Sequence, residues 1–389
     1  MAAAELNVAQ SLRDHIGSKS ERIEQDCRVP YELIQDLRKH GLFSMMIPRA
    51  YGGTERTPQD IVAVIEELAF SDSAVGWSAM IYSTTAMLSG FLPPEWGAEI
   101  FGADSKAGEH CAIAAGAAAP SGRAVVVNDG IVVSGRWQWG SGTHNSDWIV
   151  GGTLVSDDGD LVRDVSGAPA LHVVFFHRSE VQLIDNWNPA GLRGTGSVDF
   201  SVEECFVPDG RWVVLGQTPP TINSPSYQFP FYGFFAAAVA SVPLGIARRA
   251  LYDFEKSHQS KTKENRKRKA STPPMTQLEF GKAEALIHAA RYTLFGSLNE
   301  VWDDLLATPP LTETHRRTLR LAASQSTKMS VEAVERLFNA SGGGALRDGN
   351  PIQDHLRNIH AAKQHRMVSP EFFRMAAGVH LDDEPSVQL

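Results

Sequence analysis

The chain has 389 residues, a formal net charge of −9 and 43% hydrophobic residues, long enough for two or three domains with full cores. The acidic balance argues against a nucleic-acid binder working through bulk charge. Cys27, Cys111 and Cys205 show no CxxC spacing, so neither a zinc site nor a disulfide framework is expected, and a reducing compartment fits. The 13 histidines are scattered, with no HExxH and no two-His-plus-carboxylate spacing, and no metal is expected. The N-terminus lacks a secretory apolar core. The longest apolar run, 234–247, is short for a bilayer and contains Pro243. A soluble cytoplasmic protein with no membrane or nucleic-acid partner is the expectation.

Residues 1–108 read as helical. Apolar residues recur at helical spacing from 5 to about 26, and a second helix runs from Pro30 to a C-cap at Gly41. Gly52 and Gly53 make a turn. Thr57 can cap a helix that starts at Pro58 and shows Ile61, Val62, Ile65 and Leu68 on one side. Residues 73–89 form another apolar helix. Its Trp77 and Tyr82 are candidates for a substrate pocket, and equally for the core.

The texture changes at about Glu109. Over 109–218 the chain is β-branched and rich in glycine, with strands predicted at 111–119, 124–127, 131–139, 148–154, 170–177, 181–185 and 198–206. Asn128-Asp129-Gly130 signals a tight hairpin turn. Strands in series without intervening helices predict a β-barrel or sandwich. Within it the stretch 137–142 reads Trp-Gln-Trp-Gly-Ser-Gly. Glycines let backbone approach a ligand, and indoles offer flat apolar surface. A small-residue hairpin turn explains the same letters.

After the proline-rich linker 219–230, residues 219–389 predict a bundle of long helices at 231–258, 275–306, 312–341 and 352–366. Lys261, Lys263, Arg266, Lys267, Arg268 and Lys269 read as a solvated loop. No GxGxxG follows a strand, so no nicotinamide-binding domain is evident.

This helical–β–helical order, with IPRAYGG and PQDIVAVIEELAFSDSAVGW at 47–77 and GLRGTGSVDFSVEECFVPDGRW at 191–212, resembles the acyl-CoA dehydrogenase fold. The likeness implies an α+β multidomain chain: a helical N-domain (1–108), a central β-domain (109–218) and a C-terminal four-helix bundle (219–389). No segment matches that family's RxxFG or YEGT patterns. RLFNASGGGALRDGNPIQDHLRNIHAAKQH at 336–365 is similar instead to the two-component flavin-dependent monooxygenases of this fold, among them aromatic and indole hydroxylases. The branch carries an Arg-Asp pair with a histidine eight residues after the Arg. Here the pair is Arg357-Asn358 and the histidine is His365, with His360 nearby.

The resemblance implies reduced FAD, or FMN, delivered by a separate reductase. It implies O2 activation through a flavin C4a-hydroperoxide, and hydroxylation of a small apolar, aromatic, indole-type substrate. It implies a homo-oligomer, a tetramer or a dimer. By the same resemblance Trp139 packs beside the flavin and Ser141 bonds its reacting edge. His365 stands opposite as proton donor or base near neutral pH. Pro120, Gly122, Arg193, Thr195 and Ser197 line the cofactor. Ser341, Gly342 and Gly343 reach flavin bound by a neighbouring subunit, and His144 and Asn145 sit toward substrate. An acyl-CoA dehydrogenase-like desaturase would need Glu371 or Asp354 as base. A flavin-binding protein without turnover is a third reading.

Overall fold

The computed structural model describes residues 4–102, 110–266, 273–347 and 349–381. Where one helix is expected over 5–26, three short ones form: α1 (Ala4–Ser11), α2 (Arg13–Gly17) and α3 (Ser20–Asp26). Cys27 closes α3 with a left-handed φ of 51°. α4 (Tyr31–Lys39) stops before Gly41, whose φ is 76°. α5 (Pro58–Ser71) begins as predicted, the Thr57 hydroxyl accepting from the Asp60 N–H at 3.3 Å. α6 (Ser73–Ala86) is capped by Asp72, which accepts from the N–H groups of Ala74 and Val75. From Ala74 onward every residue of α6 is buried, as an apolar helix without a polar face requires. α7 (Pro94–Phe101) falls within the region read as helical, though no separate helix is bounded there from the sequence.

The β-region forms one eight-stranded sheet: β1 (Ala114–Val127), β2 (Gly130–Gly140), β3 (Trp148–Asp157), β4 (Asp160–Leu161), β5 (Leu171–His177), β6 (Gln182–Ile184), β7 (Val198–Pro208) and β8 (Trp212–Val214). The order is β6-β7-β2-β1-β3-β5-β8, with β4 on β3. β1 runs parallel to β3, and the other pairs are antiparallel. The two strands predicted at 111–119 and 124–127 are one strand, whose pairing with β3 slips between Ala117 and Gly122. Trp137 on β2 is fully buried, stacks on Phe200 of β7 at 5.1 Å and meets Phe176 of β5 at 5.7 Å. β2 and β5 are not neighbours in the sheet, so the sheet curls around this indole, whose N–H is satisfied by the Gly152 carbonyl at 2.7 Å.

The C-terminal bundle contains α8 (Pro225–Gln228), α9 (Phe231–Arg266), α10 (Pro274–Ala307), α11 (Glu313–Ser341), α12 (Pro351–Ala362) and α13 (Glu371–Leu381). The basic stretch read as a loop is helical through Arg266, because α9 continues past His258; Lys267, Arg268 and Lys269 lie outside the described residues. Residues 231–259 of α9 are long and apolar enough to cross a membrane by composition, but their most apolar stretch is 78% buried inside the protein. The apolar surface of α9 therefore serves as bundle core.

Ion pairs with one buried partner each join the three parts. Glu66 of α5, 1% exposed, pairs with Arg248 of α9 at 2.9 Å and Arg291 of α10 at 3.0 Å. Arg38 of α4 pairs with Asp147 at 3.1 Å, and Asp147 accepts from the Ile113 N–H at 2.8 Å. The first set ties α5 to the bundle, and the second ties α4 to the start of the sheet.

Candidate active site

The turn after β2 is built around two left-handed residues. The β2–β7 register shifts between Trp137 and Gly140, and Trp139 takes a φ of 62°. Such a bulge re-aims a side chain out of the ladder. Trp139 is 68% exposed, whereas Trp137 two residues earlier is core. Gly142 follows with φ 75°, and a Cβ there would stand 2.6 Å from the Tyr82 ring. The Gly142 carbonyl accepts from Tyr82 Oη at 3.2 Å and Ser146 Oγ at 2.9 Å, and its N–H donates to the Thr195 carbonyl at 3.1 Å. The turn is thus pinned from α6 and from the loop before β7.

Ser141, 5% exposed, sits in a chain of hydroxyls. Trp77 Nε1–H donates to Ser141 Oγ at 3.0 Å. Ser141 Oγ lies 2.6 Å from Ser197 Oγ, which lies 2.7 Å from Thr195 Oγ1. Thr195 in turn donates to the Leu192 carbonyl at 2.9 Å. Each hydroxyl has one proton. Thr195 spends its proton on Leu192, so Ser197 donates to Thr195 and Ser141 donates to Ser197. The chain runs Trp77→Ser141→Ser197→Thr195→Leu192. Ser141 is left with one lone pair and no free proton, so toward a ligand it accepts.

His365 reaches the same place from the bundle. It precedes the short turn Arg366–Val368, and its Nδ1 accepts from the Met367 N–H at 3.2 Å. Its ring meets Trp77 at 5.7 Å and Phe235 of α9 at 5.3 Å, both edge to face. Trp77 therefore touches both residues expected to do chemistry. Burial, and secondarily the Arg320 charge, bring His365 down to about 4. So lowered, the ring is neutral near neutral pH. With Nδ1 accepting, its proton is on Nε2.

The other predicted residues are placed as follows. Thr195 and Ser197 join the Ser141 chain. Arg193 instead ties its own loop to α3, donating to the Glu24 carbonyl at 3.3 Å, to Asn188 at 2.8 Å and to the Pro189 carbonyl at 3.2 Å. Pro120 is exposed at the β1 irregularity, and Gly122 packs directly against Trp137 and Thr153, where a Cβ would collide. His144 is half-buried and its basicity is lowered by burial and then by Arg28. Asn145 donates to the Val29 carbonyl at 3.0 Å. Ser341 Oγ donates to Leu337 at 2.8 Å at the end of α11, where Gly342 and Gly343 are exposed. These three share no hydrogen bond with the Ser141 chain among the described residues.

His360 pairs with Glu335 at 3.2 Å, leaving His365 as the histidine beside Trp77. Glu371 pairs with Arg374 at 2.6 Å, and Asp354 with Arg357. Each carboxylate needed by a desaturase is engaged with a neighbour on its own helix. Asn358, standing where the branch has Asp, accepts from the Leu192 N–H at 2.8 Å and donates to Ser73 Oγ at 2.8 Å. An ionised Asp could not donate this second bond and could only accept from the Ser73 hydroxyl instead. Asn358 thus holds the loop that ends the hydroxyl chain against the start of α6.

Sequence reasoning does not single out Phe235, Arg320 or Met367. Phe235 lies in an apolar run that reads as core. For Arg320 there is a usable signal: it falls on the buried face of α11, in line with Ser324 and Thr327.

Residues 3–99 match the acyl-CoA dehydrogenase N-terminal domain, and residues 237–370 match the acyl-CoA dehydrogenase C-terminal domain. The chain belongs to the acyl-CoA dehydrogenase family, in its flavin-dependent monooxygenase branch. Relatives include the indole-3-acetate monooxygenase of Acinetobacter baumannii, 26% identical over 92% of this chain and 89% of that protein. They also include the oxygenase subunit HsaA of a flavin-dependent monooxygenase of Mycobacterium tuberculosis, 27% identical over 97% and 95%. The crystal structure of HsaA monooxygenase from M. tuberculosis superposes with a TM-score of 0.90 at 26% identity, covering 100% of both chains. TdsC from Paenibacillus sp. A11-2, in complex with FMN and indole, shares the fold at TM-score 0.81 and 19% identity, covering 100% and 99%.

The residues present fit a flavin. The exposed Trp139 face offers a surface for a planar ring, and the spare lone pair of Ser141 offers an acceptor for a ring N–H. The edge-packed Trp77, Phe235 and His365 give an aromatic wall with one polar donor.

Proposed function

We propose that this protein is the oxygenase component of a two-component system. It takes reduced FAD or FMN from a separate reductase and, with O2, hydroxylates an apolar aromatic substrate of indole type. The observation that carries the reading is Trp77 joining Ser141 on the sheet side to His365 on the bundle side.

Reduced flavin, when bound, supplies the electrons that activate O2. Ser141 accepts a hydrogen bond from the ring edge and orients it, with Trp77 fixing the serine and Ser197 and Thr195 drawing its proton away. Trp139 packs beside the ring. Neutral His365 donates from Nε2 to an oxygen at the reacting side. Tyr82 and Phe235 help to keep water out, which strengthens these hydrogen bonds. Ser341, Gly342 and Gly343 would approach flavin held by a second copy in a homo-oligomer.

Anaerobic titration with reduced and oxidised FAD and FMN tests the reading. Reduced flavin should bind at least tenfold more tightly, and indole-3-acetate or a simple phenol should gain one 18O atom from 18O2 when reduced flavin is supplied. Equal binding of both redox states, with no labelled product across a panel of indoles and phenols, would remove the assignment.

A further inference from the structure

Arg320 of α11 is fully buried and has no carboxylate partner among the described residues. Nη1 donates to the Tyr232 carbonyl at 3.1 Å and contacts Met367 Sδ at 2.9 Å. The guanidinium lies over the Phe372 ring at 3.5 Å. Nε and Nη2 have no hydrogen-bond partner. An unneutralised buried charge is costly and is rarely kept for stability alone. Burial lowers its pKa to about 9, which still leaves it charged at neutral pH.

Met367 connects this cation to the site. Its sulfur contacts Arg320, and its backbone N–H donates to His365 Nδ1. The one charge acting on the histidine is that of Arg320 from α11, and Arg320 in turn feels Tyr232 from α9 and Arg366 on the histidine's own turn. Trp77 of α6 and Phe235 of α9 touch the ring without charge. No carboxylate pairs with His365 among the described residues.

We propose that Arg320 is a positioning residue: its unpaired charge and its hold on Met367 fix His365 as a neutral hydrogen-bond donor with the proton on Nε2. This rests on the reading that His365 faces the reacting side of the flavin. In that role the histidine stabilises negative charge on a ligand oxygen without transferring its own proton. An imidazolium would instead surrender a proton and favour loss of peroxide.

The test is the NMR titration of the His365 ring in full-length protein labelled at histidine, assigned by the signal lost in His365→Asn. In the wild type the ring should stay neutral to below pH 5.5, with Nδ1 shifts typical of an unprotonated acceptor. Arg320→Met should raise its midpoint by about one unit or more, and Arg320→Lys should keep it low. Arg320→Gln serves the same purpose if the Met variant does not fold. A wild-type midpoint at about 6.5 or above, a proton on Nδ1, or an unchanged midpoint in a folded neutral variant would overturn the proposal. The readout needs neither flavin nor turnover. If instead His365 titrates as stated but His365→Asn leaves oxygenation intact, the functional reading of His365 fails while the Arg320 assignment stands.

Discussion

The indole N–H of Trp77 donates to the hydroxyl of Ser141 across the seam between α6 and the turn after β2. Because that bond fills one lone pair of Ser141, and Ser197 takes its proton, the serine can only accept from a ligand. A Ser141→Ala variant should lose that acceptor, weakening reduced-flavin binding by about 1–3 kcal/mol and raising the fraction of O2 released as hydrogen peroxide. A peroxide assay under substrate saturation measures it, and unchanged coupling would take Ser141 out of the site.

Ser197→Ala breaks the same chain one link further on. Ser141 is then free to donate, so the variant should disturb coupling less than Ser141→Ala. The double variant should resemble Ser141→Ala alone, because residues in one network do not add. Fully additive losses would show that the two hydroxyls act separately.

Much of this arrangement is legible in the sequence. The order helix, sheet, bundle follows from texture, and the small-residue turn at Gly140–Gly142 marks where backbone must come close. The pairing of β1 with β3 is not legible, since Pro120 makes one slipped strand look like two. Nor are the bounds of α7, a short helix inside the region read as helical. The hydroxyl chain joins residues from α6, the β2 turn and the loop before β7, so only the fold reveals its direction. The meaning of Asn358 is of the same kind: it breaks the branch pattern as a letter, and as a structure it makes two bonds.

Asn358→Asp tests that point. The carboxylate can still accept from Leu192, but its bond with Ser73 must reverse, the serine hydroxyl becoming the donor. A loss of about 1–2 kcal/mol is expected, read from denaturant unfolding, with Asn358→Ala losing more. Equal or greater stability of the Asp variant would mean that Ser73 turns its own proton toward residue 358 with no penalty.

The pH dependence of stability follows from His365. Its folded value of about 4 lies below the ordinary value of about 6.5. The unfolded chain therefore takes up a proton first, and stability falls as pH drops from about 6.5 toward 4. The full effect is up to about 3 kcal/mol, reduced because the ring is partly accessible. His365→Gln should flatten acid unfolding in that window only. Parallel curves for the two proteins would place the titration elsewhere.

Gly142→Ala should cost at least about 1–3 kcal/mol, because it combines a left-handed φ with a Cβ 2.6 Å from the Tyr82 ring. Thermal unfolding measures it, and Tyr82→Phe, which keeps the ring, should not rescue it.

The most direct measurement is stopped-flow mixing of the protein and reduced FAD or FMN with oxygenated buffer, followed from 370 to 450 nm. The assignment predicts a spectral phase distinct from oxidised flavin that outlasts free-flavin oxidation by tenfold or more and shortens in Ser141→Ala. A single phase at the free-flavin rate, the same with and without protein, would contradict it.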